Sequence, residues 1–323
     1  MKNKNNILVL SFACSVILFS CKKETVDEVD FDVTTAAKTY SLKDSVFFKM
    51  SGNPDVISFY SGEIGNNYEF RNRTSKEGGT FNFSFQSRGE TLPCFDAISS
   101  GAFKVLASQN FKGTYSGTPY VDSAALNSAT WTDITSRFYL PSSSVGAAGI
   151  NVFYNSNEVD LIDLVKTPSD PIYIAFKYAA PTTPVLGPNG ITIGSLSLYS
   201  SFPDGSINTF NVVPGSSAST TWKIINAANP TNAWITSTSY LKFPNVTATT
   251  AYSEEWIVSN AFYPKTATPD KGVPIKNISN APVQKLAYKF SKVGTYNITF
   301  VASNNRDYGR KELVKQISLT ITP

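Results

Sequence analysis

With no histidine in the chain, the side chains left to do chemistry are carboxylates and aromatic rings. That absence excludes every mechanism that needs imidazole as a base or metal ligand. Five carboxylates draw attention: Glu63, Asp133, Glu254, Glu255 and Asp270. A glycoside hydrolase needs two carboxyl groups roughly 5–10 Å apart across the scissile bond. Spacing along this chain does not place two of them so, and simpler roles are at hand. Glu63 follows Ser61-Gly62 and can bond turn amides. Asp133, between Thr132 and Ile134, can cap a turn. Glu254 and Glu255 begin a strand. The chain has no P-loop, no G-x-S-x-G elbow and no zinc-ligand cluster. Loop carboxylates and carbonyls leave room for one structural Ca²⁺, and no other cofactor is expected. No catalytic residue is assigned, and the chain reads as non-enzymatic.

Aromatic rings offer a second chemistry. A ring face packs on the apolar C–H face of a pyranose while amides and carboxyls bond its hydroxyls. Trp131, Trp222 and Trp256 sit in strand-like patterns and are expected in the core. Trp234 ends the segment Asn229-Pro230-Thr231-Asn232-Ala233-Trp234, which carries loop signals. It is the first choice for a sugar platform, with Asn232 beside it. Tyr115 and Tyr120, in the Gly/Ser-rich stretch GTYSGTPY, are the next candidates.

The start of the chain carries an address. Lys2 and Lys4 precede an apolar run from Ile7 to Phe19, the pattern of a signal peptide over residues 1–20. The run is shorter than the roughly 18 residues of a spanning helix. It ends in Leu18-Phe19-Ser20-Cys21, which resembles a bacterial lipobox. That resemblance implies cleavage before Cys21 and lipidation of its thiol and amine, and several acyl chains anchor a protein stably in a membrane. Cys14 leaves with the leader, so Cys94 remains alone, with no internal disulfide to form and no histidine to activate it. It is expected to be a buried, inert thiol. Residues 21–35 are charged and read as a tether. Their acidic residues resemble the surface-export signals of Bacteroidetes lipoproteins, which implies an outer-membrane lipoprotein facing the cell exterior. Asp44-Ser45-Val46 and Asp122-Ser123-Ala124 resemble the O-glycosylation signal of the same bacteria, with Ser45 and Ser123 as acceptors. The formal net charge is +4; without Lys2 and Lys4 it is +2, too little for a nucleic-acid partner.

The elements that must position these residues read as strands. Only 16% of residues are charged and 41% are hydrophobic, which excludes a disordered chain. Past residue 35 apolar residues alternate in short runs bounded by Gly, Pro, Asn, Asp and Ser. Ile172, Ile174, Phe176 and Tyr178 share one strand face, as do Tyr296, Ile298, Phe300 and Ala302. Ile317, Leu319 and Ile321 form a last strand. The expected class is all-β, built of β-sandwiches. Turn-rich stretches at Arg73–Thr80 and Phe243–Thr250 suggest boundaries. Residues 36–80 and 251–323 together have the size of one discontinuous Ig-like sandwich, with a jelly roll inserted over 81–250. Two consecutive domains, the first very small, is the alternative.

The segment Ser51 to Phe70, SGNPDVISFYSGEIGNNYEF, resembles the start of the Bacteroidetes lipoprotein family DUF5017, with its G-x-x-D-x-I-x-F-Y-S-G-E run. Phe111-Lys112-Gly113, Trp131 to Thr135, Ile172 to Tyr178, Trp256 to Ser259, Asp270 to Lys276 and Gly294 to Ala302 fit as well. Gly294 to Phe300 also resembles the penultimate strand of PKD-type Ig-like domains. The middle block resembles galactose-binding-like or choice-of-anchor jelly rolls. The family resemblance implies a cell-surface protein accompanying outer-membrane glycan import. The expected function is therefore non-enzymatic glycan binding, with the membrane, a polysaccharide and an import complex as partners. A structural or assembly accessory without a small ligand is the alternative, and a glycoside hydrolase the third reading.

Overall fold

In a computed structural model, residues 24–91, 98, 101–113, 115–116, 119–180, 190–214, 221–228, 233–244 and 252–323 are described. The chain forms two compact units. One comprises Met1–Tyr68 with Lys271–Pro323, the other Glu69–Asp270. Among the described residues strands dominate the regular structure of both, so the expected all-β sandwich class holds.

The first unit contains β1 (Phe31–Thr35), β2 (Thr39–Ser41), β3 (Val46–Gly52) and β4 (Val56–Tyr60). After the second unit it resumes with β17 (Val273–Lys276), β18 (Lys285–Tyr288), β19 (Gly294–Arg306) and β20 (Gly309–Thr322). They form a three-stranded sheet, β1-β3-β18, and a five-stranded one, β17-β4-β19-β20-β2. The period-2 alternation sends Val46, Phe48, Ile57, Phe59, Ile298, Phe300, Leu319 and Ile321 into one core. Phe300 lies 5.2 Å, centroid to centroid, from both Phe48 and Phe59. β2 pairs parallel to β20, the other ladders antiparallel. Glu63 closes this unit. Its carboxylate accepts from Tyr288 Oη (2.5 Å), Ser291 N (2.9 Å) and Ser291 Oγ (2.6 Å). Burial alone would raise its pKa, but these hydrogen bonds outweigh burial and hold it below the usual carboxylate value.

The second unit holds β5 (Thr80–Gly89), β6 (Phe103–Ser108), helix α1 (Pro119–Ser128), β7 (Thr132–Asp133), β8 (Tyr154–Asn155) and β9 (Val159–Asp160). β10 (Tyr173–Ala180), β11 (Ile191–Ser201), β12 (Ile207–Thr209) and β13 (Trp222–Ala228) follow. β14 (Ile235–Thr236), β15 (Tyr240–Phe243) and β16 (Ser253–Ser259) complete it. One sheet runs β14-β15-β11-β5-β8, with β12 on β11 and β9 on β5. The other runs β13-β16-β10-β6-β7. Phe81, Phe83 and Phe85 of β5 meet Phe176 of β10, Phe103 of β6 and Trp222 of β13 in a core rich in aromatic rings. A smaller apolar cluster, including Leu106, Tyr173, Ile225 and Trp256, lies on the other face of the five-stranded sheet.

The division differs from the expected boundaries at 35/36, 80/81 and 250/251: residues 31–35, expected in the tether, are β1, which pairs with β3 and buries Phe31 and Val33. Residues 69–79 and 262–270 run side by side. Lys76 N donates to Lys265 O (2.8 Å), Ala267 N to Thr74 O (2.9 Å), and Ser75 bridges Thr266. Arg73 then binds Asp204 (3.3 Å) and Asp270 (2.8 Å), and its guanidinium lies 4.1 Å from the Phe70 ring centroid. Of the two turn-rich stretches, Arg73–Thr80 falls in the first of these segments and runs into β5 at Thr80, while most of Phe243–Thr250 lies outside the described residues. Pairing between residues almost 200 apart is what places both segments in the second unit.

Candidate functional site

The outer face of the five-stranded sheet presents two rows across its strands. One is Lys223, Val258, Ala175 and Leu106; the next is Ile225, Trp256, Lys177 and Lys104. The apolar members need a cover, and the segment after β6 supplies it. Ser108 Oγ accepts from Asn110 N (3.3 Å) and Phe111 N (3.1 Å), which turns the chain back over the sheet. Phe111 then packs edge-on against Tyr173, with centroids 5.2 Å apart. Trp131 bridges Phe111 and Trp256, at 5.5 and 5.1 Å, and its Nε1 donates to Leu126 O (3.1 Å).

Gly113 has φ +64, and a Cβ there would lie 3.2 Å from Tyr173 Oη, so the turn suits glycine on both counts. Helix α1 starts at Pro119, a residue pre-set for the first helical position. The buried Asp122 accepts from Ser116 N and Ser116 Oγ, both at 2.8 Å, and ties the loop to the helix.

Between this cover, β13 and the end of β16 lies a cleft of about 230 Å³. Tyr115, Lys112, Lys223, Tyr173 and Asn260 line it above an apolar floor that includes Ile225. Tyr115 is 49% exposed, and Lys223 Nζ lies 5.8 Å from its ring centroid. Tyr173 is nearly buried; burial, helped by the neighbouring Tyr263, raises its pKa and keeps it a neutral hydrogen-bonding group. The volume admits one sugar-sized ring rather than the larger ligands that enclosed pockets hold. A flat exposed ring, a side-chain amide and two ammonium groups converge there, so the cleft can stack a ring and bond hydroxyls or acidic groups.

A second cleft, of about 400 Å³, lies along Ser108, Gln109, Asn110, Thr130, Asp163 and Lys166. Its lining mixes these polar groups with Ala107, Leu164 and Ile172 and lacks an aromatic ring. Much of its polarity is already spent. Arg137 clamps Asp163 through two contacts of 2.7 Å, and Asn110 Oδ1 accepts from Thr130 N at 2.7 Å. Gln109 Nε2 is buried there with no hydrogen-bond partner among the described residues.

The sequence candidates fall in different places. Tyr115 lies in the first cleft. Tyr120 sits in the first turn of α1 rather than in a loop, and its side chain is outside the described residues. Trp234 requires a correction: it is 1% exposed and belongs to the core. Its ring lies 5.6 Å from Phe243 and 6.4 Å from Phe176, and Nε1 donates to Glu255 O (3.3 Å). The residues before it carry loop signals, but pairing of β14 with β15 turns the indole inward. Asn232, Cys21 and Cys94 lie outside the described residues. Trp222 and Trp256 are buried and Trp131 half-buried. Ser45 is half-buried at the entrance to β3, and Ser123 half-buried within α1.

The carboxylates have local roles. Asp133 accepts from Thr135 N (3.0 Å), Thr135 Oγ1 (2.6 Å) and Lys104 Nζ (2.9 Å). Glu254 accepts from Lys177 (3.0 Å), Trp256 Nε1 (2.8 Å) and the Tyr252 hydroxyl. Glu255, next along the strand, points to the opposite face and is fully buried. Asp270 is buried against Arg73. Among the described residues no group of three or more Cys, Asp or Glu side chains gathers as a metal site. No described helix is long and apolar enough to cross a membrane. Sequence reasoning missed Lys223, Tyr173 and Asn260. The one local signal for Lys223 is its place between Trp222 and Ile224, where alternation turns it outward.

Fold and cleft together define an all-β, two-unit protein with a small, partly aromatic cleft on one sheet face. The chain belongs to the family described as "Domain of unknown function (DUF5017)", whose model matches residues 20–219. The segments at Trp256–Ser259, Asp270–Lys276 and Gly294–Ala302 lie beyond that match. No curated protein and no solved structure matches the chain.

Proposed function

We propose that this protein is a non-enzymatic, lipid-anchored protein of the outer-membrane surface that binds a glycan and serves glycan uptake. The observation that carries the reading is the exposed Tyr115 ring beside Lys223 and Asn260, in a cleft of sugar size. The lipobox ending in Cys21 and the acidic residues behind it support the address, as does the resemblance to Bacteroidetes surface lipoproteins. The second unit, as a galactose-binding-like jelly roll, carries the ligand. The first is an Ig-like domain that follows the anchor in sequence. The partners are the membrane through the lipid, a polysaccharide, and an outer-membrane import complex.

Affinity electrophoresis of the mature chain in polysaccharide gels tests the reading, with Tyr115→Ala beside the wild type. Retardation by at least one polysaccharide, weakened about tenfold or more by the substitution, is expected; base–aromatic stacking of similar area is worth a comparable loss. Equal retardation of both proteins would move the site elsewhere. No retardation across a broad panel would favour the structural or assembly role. Metabolic labelling with a radioactive fatty acid, abolished by Cys21→Ala, checks the anchor.

A further inference from the structure

We infer that the Tyr115 cleft selects an acidic sugar, whose carboxylate or sulfate sits between Lys112 and Lys223 while its ring lies on Tyr115. The inference rests on the glycan-binding reading and narrows it to a ligand class. Lysines on this sheet face are otherwise neutralised. Lys104 pairs with Asp133 at 2.9 Å and Lys177 with Glu254 at 3.0 Å. Lys223 belongs to the same outer face, yet it leans toward the Tyr115 ring instead of a carboxylate. Among the described residues neither Lys112 nor Lys223 makes an ion pair, and no acidic side chain lines the cleft. Asp122, the acid of the covering helix, is buried and turned to Ser116.

The positive charge is local. The chain without its leader carries only +2 formally, so two uncompensated ammonium groups in one cleft are not a consequence of a basic surface. A neutral sugar would leave both without a counter-charge. An acidic one gains charge-assisted hydrogen bonds, roughly twice as strong as neutral ones. The half-buried position of Lys223 beside an aromatic ring lowers the local dielectric and strengthens that attraction. Tyr115 and Asn260 add what a simple anion does not need, a stacking face and an amide for hydroxyls. Their presence favours an acidic sugar over a bare phosphate.

The test uses the full-length mature chain in detergent and four gels: polygalacturonate for carboxylate, carrageenan for sulfate, and galactomannan and pullulan as neutral polymers. Retardation is expected in one or both acidic gels and not in the neutral ones. It should weaken about tenfold for each of Lys112→Gln and Lys223→Gln, fall with added salt, and survive Lys43→Gln, an exposed control in the other unit. The two acidic gels distinguish carboxylate from sulfate. Binding to a neutral polymer that depends on Tyr115 would overturn the acidic selectivity and leave glycan binding standing. Acidic-gel retardation lost equally with Lys43→Gln would reduce the effect to bulk charge and overturn the assignment. Retardation indifferent to both cleft lysines would do the same. No retardation in any of these four gels would overturn the acidic selectivity, and glycan binding itself falls if the broad panel fails as well.

Discussion

Replacing Glu255 with glutamine should make the protein more stable at neutral pH and remove a pH dependence. Glu255 lies fully buried on the inner face of β16, level with Tyr178 of β10 and Asn226 of β13. Its Oε1 is 3.4 Å from Ser253 Oγ, and among the described residues Oε2 has no hydrogen-bond partner; neither has Asn226 Oδ1. Burial pushes the carboxyl up to about 8. The Ser253 hydroxyl opposes the shift, and the adjacent Glu254 charge adds to it. The folded chain therefore holds the carboxyl protonated at pH 7, while the unfolded chain releases that proton near 4.5.

The sign follows from linkage. Between pH 4.5 and 8 the folded state binds the extra proton, so stability falls as pH rises. At about 1.4 kcal/mol per unit, and less near each midpoint where the group is half-titrated, the loss is about 3 kcal/mol by pH 7 and about 4 kcal/mol by pH 8. Glutamine keeps the shape, carries no titrating proton and offers an N–H donor toward Asn226. Glu255→Gln should match the wild type near pH 4.5 and exceed it by about 3 kcal/mol at pH 7. For a unit of this size that is roughly 6–12 °C in Tm. Urea titrations at pH 5, 6, 7 and 8, followed by tryptophan fluorescence, read the difference, since Trp222 and Trp234 lie in the same core. A difference that does not grow with pH, or a glutamine variant less stable at pH 7, would refute the reasoning and show the carboxylate ionised and paired.

Two further outcomes follow from packing and charge. Trp234→Ala should destabilise the second unit by about 3–5 kcal/mol, as deletion of a buried aromatic does. Affinity of the folded fraction for polysaccharide should stay unchanged, checked by denaturation and gel retardation on the same preparation. Arg73→Ala removes the cation that neutralises the buried Asp270 and should cost about 3 kcal/mol or more; Asp270→Asn in the same background should recover part of it, read by urea midpoints.

Local pattern sufficed for the strands whose faces differ strongly. Ile172, Ile174, Phe176 and Tyr178 alternate with less apolar neighbours, and all four enter one core. Tyr296, Ile298, Phe300 and Ala302 do the same in the other unit. Period-2 alternation is a property of the chain itself, so it is visible without knowing any partner. The family segment around Phe59-Tyr60-Ser61-Gly62-Glu63 was legible too, but the task of Glu63 was not. Its partners Tyr288 and Ser291 are more than 220 residues away.

The remaining features depend on partners distant in sequence. Trp234 carries the sequence signals of a loop residue and the environment of a core residue, because Phe176 and Phe243 close over it once β10 and β15 are in place. Glu254 and Glu255 look alike in the chain, and the strand pleat sends one to Lys177 and the other into the core. The cleft likewise needs Phe111, Lys112, Gly113 and Tyr115 brought against β13 and the end of β16, which sets Lys223 Nζ 5.8 Å from the Tyr115 ring across more than a hundred residues. Composition and alternation determined that this chain would make sheets. Which polar groups met, and which were shut away from water, was decided by long-range strand pairing, because burial and charge pairing belong to the assembled sheets and not to any one segment.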